Sequence, residues 1–254
     1  MSAWNGADDL RCKLEHRGFA SVLHVAGPLD MHTSPALRTA FLKCLADEPD
    51  LVVIDLAGMQ VIDEIALTVL PALARHAATW PGSSVALANA TPLMVGALDR
   101  MAVCRNLPLY PSLNAAIARG EPTAPPRRLR RHLPPALDST AEARDLVDRV
   151  CIQWSLRSIT DVAQLIITEL VSNVIRHAHT DMEVSVALRR RYLHLAVRDG
   201  SSEAPRRGGP NESLREEGRG LLVVEALTTA WGCAPAPDGK VVWATLRAPR
   251  DGVR

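Results

Sequence analysis

The chain has 254 residues, enough for two domains of ordinary size that each bury a hydrophobic core. Its formal net charge is +1, from 29 basic and 28 acidic side chains, so no bulk charge favours direct binding to nucleic acid or to an anionic membrane. Five scattered cysteines argue against a disulfide scaffold, and the absence of signal-peptide or membrane-spanning patterns predicts a soluble, cytoplasmic protein.

The residues before position 120 alternate between strand-like and helix-like patterns. Strands are predicted over 19–26, 51–56 and 84–88, and the second is apolar enough to be buried on both faces. Helices are predicted over 33–46, from Asp63 to about Leu73, over 92–101 and over 112–118. Pro71 must either kink the second of these helices or mark its first turns. This alternation is typical of an α/β fold, and we assign it to a first domain over residues 1–119.

Residues 120–134 are rich in proline and arginine. Prolines remove backbone donors, fix φ and disfavour helix at the preceding residue, so this segment is predicted to be a linker. Its arginines are Arg127, Arg128, Arg130 and Arg131. They are more simply explained as a solvated face than as a binding site, and no function is assigned to them.

Residues 135–250 form a second predicted domain, also of the α/β class. Two long helices are predicted over 140–154 and 159–178, followed by strands over 182–188 and 191–199. A glycine-rich, charged stretch covers residues 200–217, and a short helix over 220–227 and a strand over 240–246 end the domain.

Three short patterns in this second domain carry chemistry. Glu169 and Asn173 lie four residues apart and therefore on one helix face. A carboxylate and an amide so placed could act as a general base and as a ligand of Mg²⁺. Such polar pairs are more often ordinary solvent-exposed helix surface. Asp199 ends a strand on its inward side, where it could accept from an adenine amino group or simply begin a turn. Gly218 and Gly220 precede an apolar helix, as at phosphate sites or at an ordinary helix start.

In this order the three patterns resemble the N, G1 and G2 boxes of the GHKL (Bergerat) ATP-binding fold. The run 169–178 matches E-L-V-x-N-x-x-R-H-A of the bacterial anti-sigma-factor serine kinases, and Trp231-Gly232 and 239–244 look like that family's closing strands. The resemblance implies that Glu169 is a general base, Asn173 holds Mg²⁺, Asp199 accepts from adenine and 200–217 form the ATP lid. It also implies a phosphate cradle made of Gly218, Arg219, Gly220 and Leu221. The G1 box reads Asp199-Gly-Ser-Ser rather than D-x-G-x-G, which leaves the lid geometry open.

Two histidines, His177 and His179, lie two apart on the same predicted helix. They diverge and have no second His/Cys cluster, so they do not form a zinc site and structural roles are expected. Because it belongs to the matched motif, His177 is also counted with the cofactor-binding residues.

Residues 10–119 resemble a STAS domain, the fold of the anti-sigma-factor antagonists, through the runs 27–30, 53–58 and 61–63. In antagonists that are kinase substrates, the aspartate matching Asp63 is followed by a phosphate-accepting Ser or Thr. Glu64 stands there instead, and we hypothesise that its single charge imitates the phosphorylated form. The alternative is that Asp63 caps a helix and Glu64 complements its dipole.

The leading hypothesis from these resemblances is a regulatory serine/threonine kinase that uses ATP and Mg²⁺. It would act in partner switching on an antagonist (STAS) protein or a sigma factor, and the resemblance also allows a homodimer. Two alternatives stay open. One is a noncatalytic ATP-dependent binding switch with a phosphomimetic STAS domain, and the other is a small-molecule sensor whose first domain gates the second.

Overall fold

The computed structural model of the chain describes residues 9–79, 83–121, 127–189, 191–205 and 219–249. The chain divides into two compact units, residues 1–123 and 124–254. Each unit combines one sheet with helices, which confirms the predicted two-domain α/β fold class.

The sheet of the first unit has five strands in the order β1-β2-β3-β4-β5. They are β1 (Arg11–Arg17), β2 (Ala20–Leu29), β3 (Leu51–Val61), β4 (Ser84–Ala88) and β5 (Leu109–Tyr110). β1 runs antiparallel to β2, and the other neighbours are parallel. The strand patterns predicted β2, β3 and β4. They missed β1, which mixes charged and apolar residues, and β5, which is only two residues long.

The first unit contains α1 (Ser34–Ala46), α2 (Val69–Thr79), α3 (Pro92–Arg100) and α4 (Leu113–Gly120). The helix predicted from Asp63 begins as a separate 3₁₀ turn, Glu64–Thr68, so Pro71 falls in the first turn of α2, where its missing N–H costs nothing. Both faces of β3 are buried, as predicted. Ile54 packs in the larger core with residues of α1 and α2, and Val53 packs in a smaller cluster with Ala116 of α4.

A polar network crosses this sheet on the face that α4 partly covers. His24 Nδ1 lies 2.7 Å from Asp55 Oδ2, and its Nε2 lies 2.8 Å from Glu15 Oε2. Asn89 donates to the other oxygen of Asp55 at 2.8 Å. Two hydrogen bonds raise the pKa of His24, and the one to Glu15 contributes more than the one to Asp55.

The second unit has an antiparallel sheet in the order β6-β7-β8-β10-β9. Its strands are β6 (Arg127–Leu133), β7 (Met182–Arg189), β8 (Tyr192–Asp199), β9 (Ala230–Ala236) and β10 (Gly239–Arg247). Its helices are α5 (Asp138–Gln153), α6 (Thr160–Asn173) and α7 (Arg219–Leu227). Side chains of α5, α6 and α7 form one core with the inward residues of β7, β8 and β10.

The linker prediction is wrong over Arg127–Leu133, which forms β6. Arg127 lies opposite Leu188 and Leu133 opposite Met182 in the pairing with β7, and Leu133 is buried in the core. An edge strand keeps one side open to solvent and accepts a high proportion of charged residues, so its composition resembled a solvated linker. Residues 122–126, which the linker prediction also covers, lie outside the described residues.

The run Arg157–Ala178, which contains α6, is long and apolar enough to span a membrane by length and composition alone. Its side chains Ile166, Ile167 and Leu170 are fully buried in the core of the second unit. The core helix of a soluble protein passes the same test, so this run is explained by packing within the unit.

Candidate nucleotide-binding site

The polar pair on α6 lies on one helix face, as the four-residue spacing requires. Asn173, the last residue of α6, is buried, while the Glu169 side chain is 22% exposed. Arg176 Nη2 lies 3.7 Å from Glu169 Oε2, and Arg176 Nε donates to the carbonyl oxygen of Ser172 at 3.2 Å. The carboxylate therefore has a basic neighbour on its own helix.

A wider, π-helical turn over Val174–Ala178 continues α6 beyond Asn173. It closes when the N–H of His179, at φ +54°, donates to the carbonyl oxygen of Val174 at 2.9 Å. Such turns often occur at functional sites, because they re-aim the side chains that they carry. Here the turn carries Arg176 and His177, and both side chains line a cavity next to Asn173.

The start of α7 packs directly against Glu169. A methyl group built on Gly220 would overlap Glu169 Oε2, so no larger residue fits at this position without moving that carboxylate. Arg219 is the first residue of α7, and the Leu221 side chain is buried. Gly218, the first residue of the predicted phosphate cradle, lies outside the described residues.

Asp199 ends β8 with its side chain inside the domain, as the strand alternation predicts. The Lys240 ammonium on β10 donates to Asp199 Oδ1 at 2.9 Å, and the Ser201 N–H donates to the same oxygen at 2.8 Å. The second contact is the turn that the alternative interpretation expected, so Asp199 both begins a turn and points inward. Within the described residues the buried oxygen Oδ2 has no hydrogen-bond partner.

A buried acceptor of this kind is costly until a donor reaches it. An adenine amino group is such a donor, so the orphaned Oδ2 of Asp199 fits the nucleotide that the sequence motifs imply.

Two of the predicted site residues, Asn173 and His177, line a cavity of about 210 Å³, whereas Glu169, Asp199 and Gly220 do not. Its walls come from the end of α6, the π-helical turn, the loop after β8 and the start of β10. The lining residues are Asn173, Arg176, His177, Ser201, Glu203, Ala204, Pro205 and Lys240. Of the predicted lid, residues 200–205 are described and 206–217 are not.

Two residues of this region escaped the sequence analysis. Thr180 Oγ1 accepts from the Gly200 N–H at 2.9 Å and ties the start of the loop to the end of the helix. Lys240 was assigned only to a closing strand. A lysine directly before an apolar run is a signal for a buried partner, but only the register of β8 and β10 places Lys240 opposite Asp199.

No group of three or more His, Cys, Asp or Glu side chains in the described ranges is arranged to hold a metal ion. In nucleotide sites, Mg²⁺ is commonly held by one or two side chains together with phosphates and water. The side-chain oxygen of Asn173 is a suitable ligand of that kind, and its position beside the cavity fits the predicted role.

The predicted regulatory pair of the first unit lies at the 3₁₀ turn before α2. Asp63 Oδ1 accepts from the Ile65 N–H at 2.9 Å, so Asp63 caps this turn as the simpler alternative expected. Glu64 forms a two-bonded ion pair with Arg100 of α3, with Arg100 Nε donating to Oε2 at 3.2 Å. The hydrogen bond from Arg100 lowers the pKa of Glu64. The neighbouring side chains Ile62 and Ile65 are 62% and 61% exposed.

Comparison with protein families agrees with both units. Residues 12–116 match the family described as STAS domain, and residues 133–246 match the family described as histidine kinase-like ATPase domain. The chain therefore carries a STAS domain followed by a histidine kinase-like ATPase domain. No curated protein matches the chain.

Solved structures similar to this chain include anti-sigma-factor antagonists. An antagonist from Mycobacterium paratuberculosis is 26% identical, with a TM-score of 0.40, and the match covers 46% of this chain and 97% of that one. The antagonist SpoIIAA in its unphosphorylated form is 15% identical, with 44% and 100% covered and a TM-score of 0.37. An antagonist (STAS) domain protein from Planctomyces limnophilus is 18% identical, with 46% and 100% covered and a TM-score of 0.38.

The pairing of the two domains suggests a partner-switching regulator of the anti-sigma-factor type. A histidine kinase-like ATPase domain implies ATP binding, and this domain content is typical of soluble proteins.

Proposed function

We propose that this protein is an ATP- and Mg²⁺-dependent serine/threonine kinase that acts in partner switching. Its substrate is a separate antagonist STAS protein that carries an acceptor hydroxyl, and its other partner is a sigma factor. We place this activity in the cytoplasm.

The observation that carries the proposal is the packing of Gly220 against Glu169. A helix N-terminus presents unpaired N–H groups and a partial positive charge, which favour phosphate oxygens. With Gly220 in its first turn, α7 brings such an N-terminus beside a carboxylate and an amide of α6. Phosphoryl transfer requires mainly positioning and charge stabilisation, so these groups are suited to that reaction.

Each residue has a defined task in this proposal. Glu169 accepts the proton of the attacking hydroxyl, and Asn173 binds the metal. Asp199 accepts a hydrogen bond from the adenine amino group. Backbone N–H groups at the start of α7 bind phosphate oxygens. When bound, ATP supplies the phosphoryl group and Mg²⁺ offsets its charge.

Phosphate transfer from radiolabelled ATP to a serine-bearing STAS protein tests the proposal. The full chain is compared with Glu169→Gln and Asn173→Ala, with Glu225→Gln on the exposed face of α7 as a matched control. We expect Glu169→Gln to lower transfer about 10²- to 10⁴-fold while ATP still binds, because a general base contributes that much. Asn173→Ala should weaken the dependence on Mg²⁺, and the control should act like the wild type.

A second function is favoured by the ion pair between Glu64 and Arg100. In this alternative the protein is a noncatalytic switch in which ATP occupancy selects the partner, and the STAS domain is held in a phosphorylated-like state. Arg100 fixes the Glu64 carboxylate at the position of the lost acceptor, as an arginine would fix a phosphate. Tight Mg²⁺-dependent ATP binding, without transfer to any serine-bearing STAS protein, would favour the switch over the kinase.

The hypothesis about Glu64 has its own test. Glu64→Ser restores a hydroxyl to the loop, and we expect phosphate incorporation at position 64 with ATP, measured by mass spectrometry beside Glu64→Ala. Phosphorylation of other STAS proteins without phosphorylation at position 64 would contradict the hypothesis. It would show that this loop lacks more than the acceptor hydroxyl.

A further inference from the structure

Lys240 is buried beside Asp199 in the candidate site, although none of the three sequence motifs includes it. Its side chain is 6% exposed, and that of its partner Asp199 is fully buried. The strand register places the two residues directly opposite each other at the ends of β10 and β8. A buried lysine is rare unless it is paired. Lys240 is paired with Asp199, the carboxylate that binds adenine in the proposed function.

The two carboxylate oxygens of Asp199 have different surroundings. Oδ1 accepts from the Lys240 ammonium and from the Ser201 N–H, at 2.9 and 2.8 Å. The ammonium also contacts the carbonyl oxygen of Ser201 at 3.4 Å. The carboxylate is therefore held from one side, and its rotation would break both contacts to Oδ1. Oδ2 is left buried, and no donor among the described residues reaches it.

Gly239 makes this close approach possible. A methyl group built on Gly239 would overlap the backbone carbonyl oxygen of Asp199 and would lie 2.8 Å from both Cα and the carbonyl carbon of Gly200. Because β10 begins without a side chain here, its backbone can lie against the end of β8. The next residue, Lys240, can then reach Asp199 and also line the cavity.

We propose that Lys240 is a positioning residue for base recognition. It compensates the charge of Asp199 and fixes its rotation, so that Oδ2 faces the exocyclic amino group of the nucleotide's base. This inference rests on the proposed ATP-binding function and adds a residue that determines base selectivity. It also explains why a lysine is buried near the start of β10, directly before the apolar run 241–244.

The test compares ATP with purine riboside triphosphate, which lacks the 6-amino group. Dissociation constants of both Mg²⁺ complexes are measured by calorimetry for the full chain, Lys240→Met and Lys240→Arg. Lys43→Met, on the exposed last turn of α1, is the matched control. Thermal unfolding followed by circular dichroism establishes that each variant is folded, and Lys240→Gln replaces Lys240→Met if the latter is not.

The wild type should bind ATP about tenfold or more tightly than the analogue, because a hydrogen bond to a charged group contributes roughly that factor. Lys240→Met should reduce this ratio to within about twofold by weakening ATP and leaving the analogue almost unchanged. Lys240→Arg should keep a ratio above about threefold, since it retains the charge. The control should match the wild type.

A purely structural role for Lys240 gives a different result. Both nucleotides would then weaken equally in Lys240→Met, and the unchanged ratio would overturn this inference while leaving the proposed function intact. A wild-type ratio near one would also overturn it. If the wild type binds neither nucleotide, the proposed ATP-binding function itself is wrong.

Discussion

Replacing Gly220 by alanine separates the stability of the ATPase domain from its proposed chemistry. The added methyl group would overlap Glu169 Oε2 and would lie 3.1 Å from its Cδ. These atoms are the far end of a flexible side chain, so the domain can respond by rotating Glu169 without moving backbone. The variant should therefore fold with the proposed general base displaced.

Two opposing effects set the change in stability. Alanine is favoured over glycine in a helix by about 0.5–1 kcal/mol, although less at a helix start. Forcing a side chain away from its preferred rotamer costs about 0.5–1.5 kcal/mol. The free energy of unfolding should therefore change by less than about 1 kcal/mol, while phosphate transfer should fall at least tenfold.

Urea denaturation followed by tryptophan fluorescence measures the first quantity, and radiolabelled phosphate transfer measures the second. Gly96→Ala in α3 is the matched control, because a methyl group there makes only ordinary contact, 3.4 Å from Arg100 Nη1. The double variant with Glu169→Gln should be no less active than Glu169→Gln alone. Full activity in Gly220→Ala would refute the assignment of Glu169 as the base beside the start of α7.

Two further predictions concern stability. The hydrogen bonds to Glu15 and Asp55 raise the pKa of His24 in the folded state. The protonated side chain therefore stabilises the first unit fully below the unfolded-state pKa of about 6.5. This stabilisation is lost as the pH rises through the higher folded-state pKa. Hydrogen exchange of peptides from this unit should show protection that declines with pH in the wild type and declines less in His24→Gln, and equal declines would contradict this. Gly239→Ala forces a methyl group onto the backbone of Asp199, and urea denaturation should show a loss of about 1–3 kcal/mol; wild-type stability would contradict the packing.

Local patterns were sufficient for the features that depend on neighbouring residues in the chain. The four-residue spacing of Glu169 and Asn173 predicted their common helix face, and strand alternation predicted the inward direction of Asp199. The cap at Asp63 was also predictable, because its acceptor and donor are two residues apart. The two-domain α/β class followed from the order of such patterns.

Composition alone misidentified β6. Four of its seven residues are arginine, and proline-rich sequence precedes it, so nothing local distinguishes this edge strand from a solvated linker. Its backbone hydrogen bonds to β7 define it as a strand, and those partners lie 49 to 61 residues further along the chain.

The sequence by itself determined the fold class, the order of the three motifs in the second domain and the presence of a glutamate at position 64. Tertiary structure decided which side chains complete each site. Lys240 meets Asp199 across 41 residues, and Arg100 meets Glu64 across 36. Helix and strand periods order residues only within one element, whereas charges on different elements meet only after strand register and helix packing are fixed.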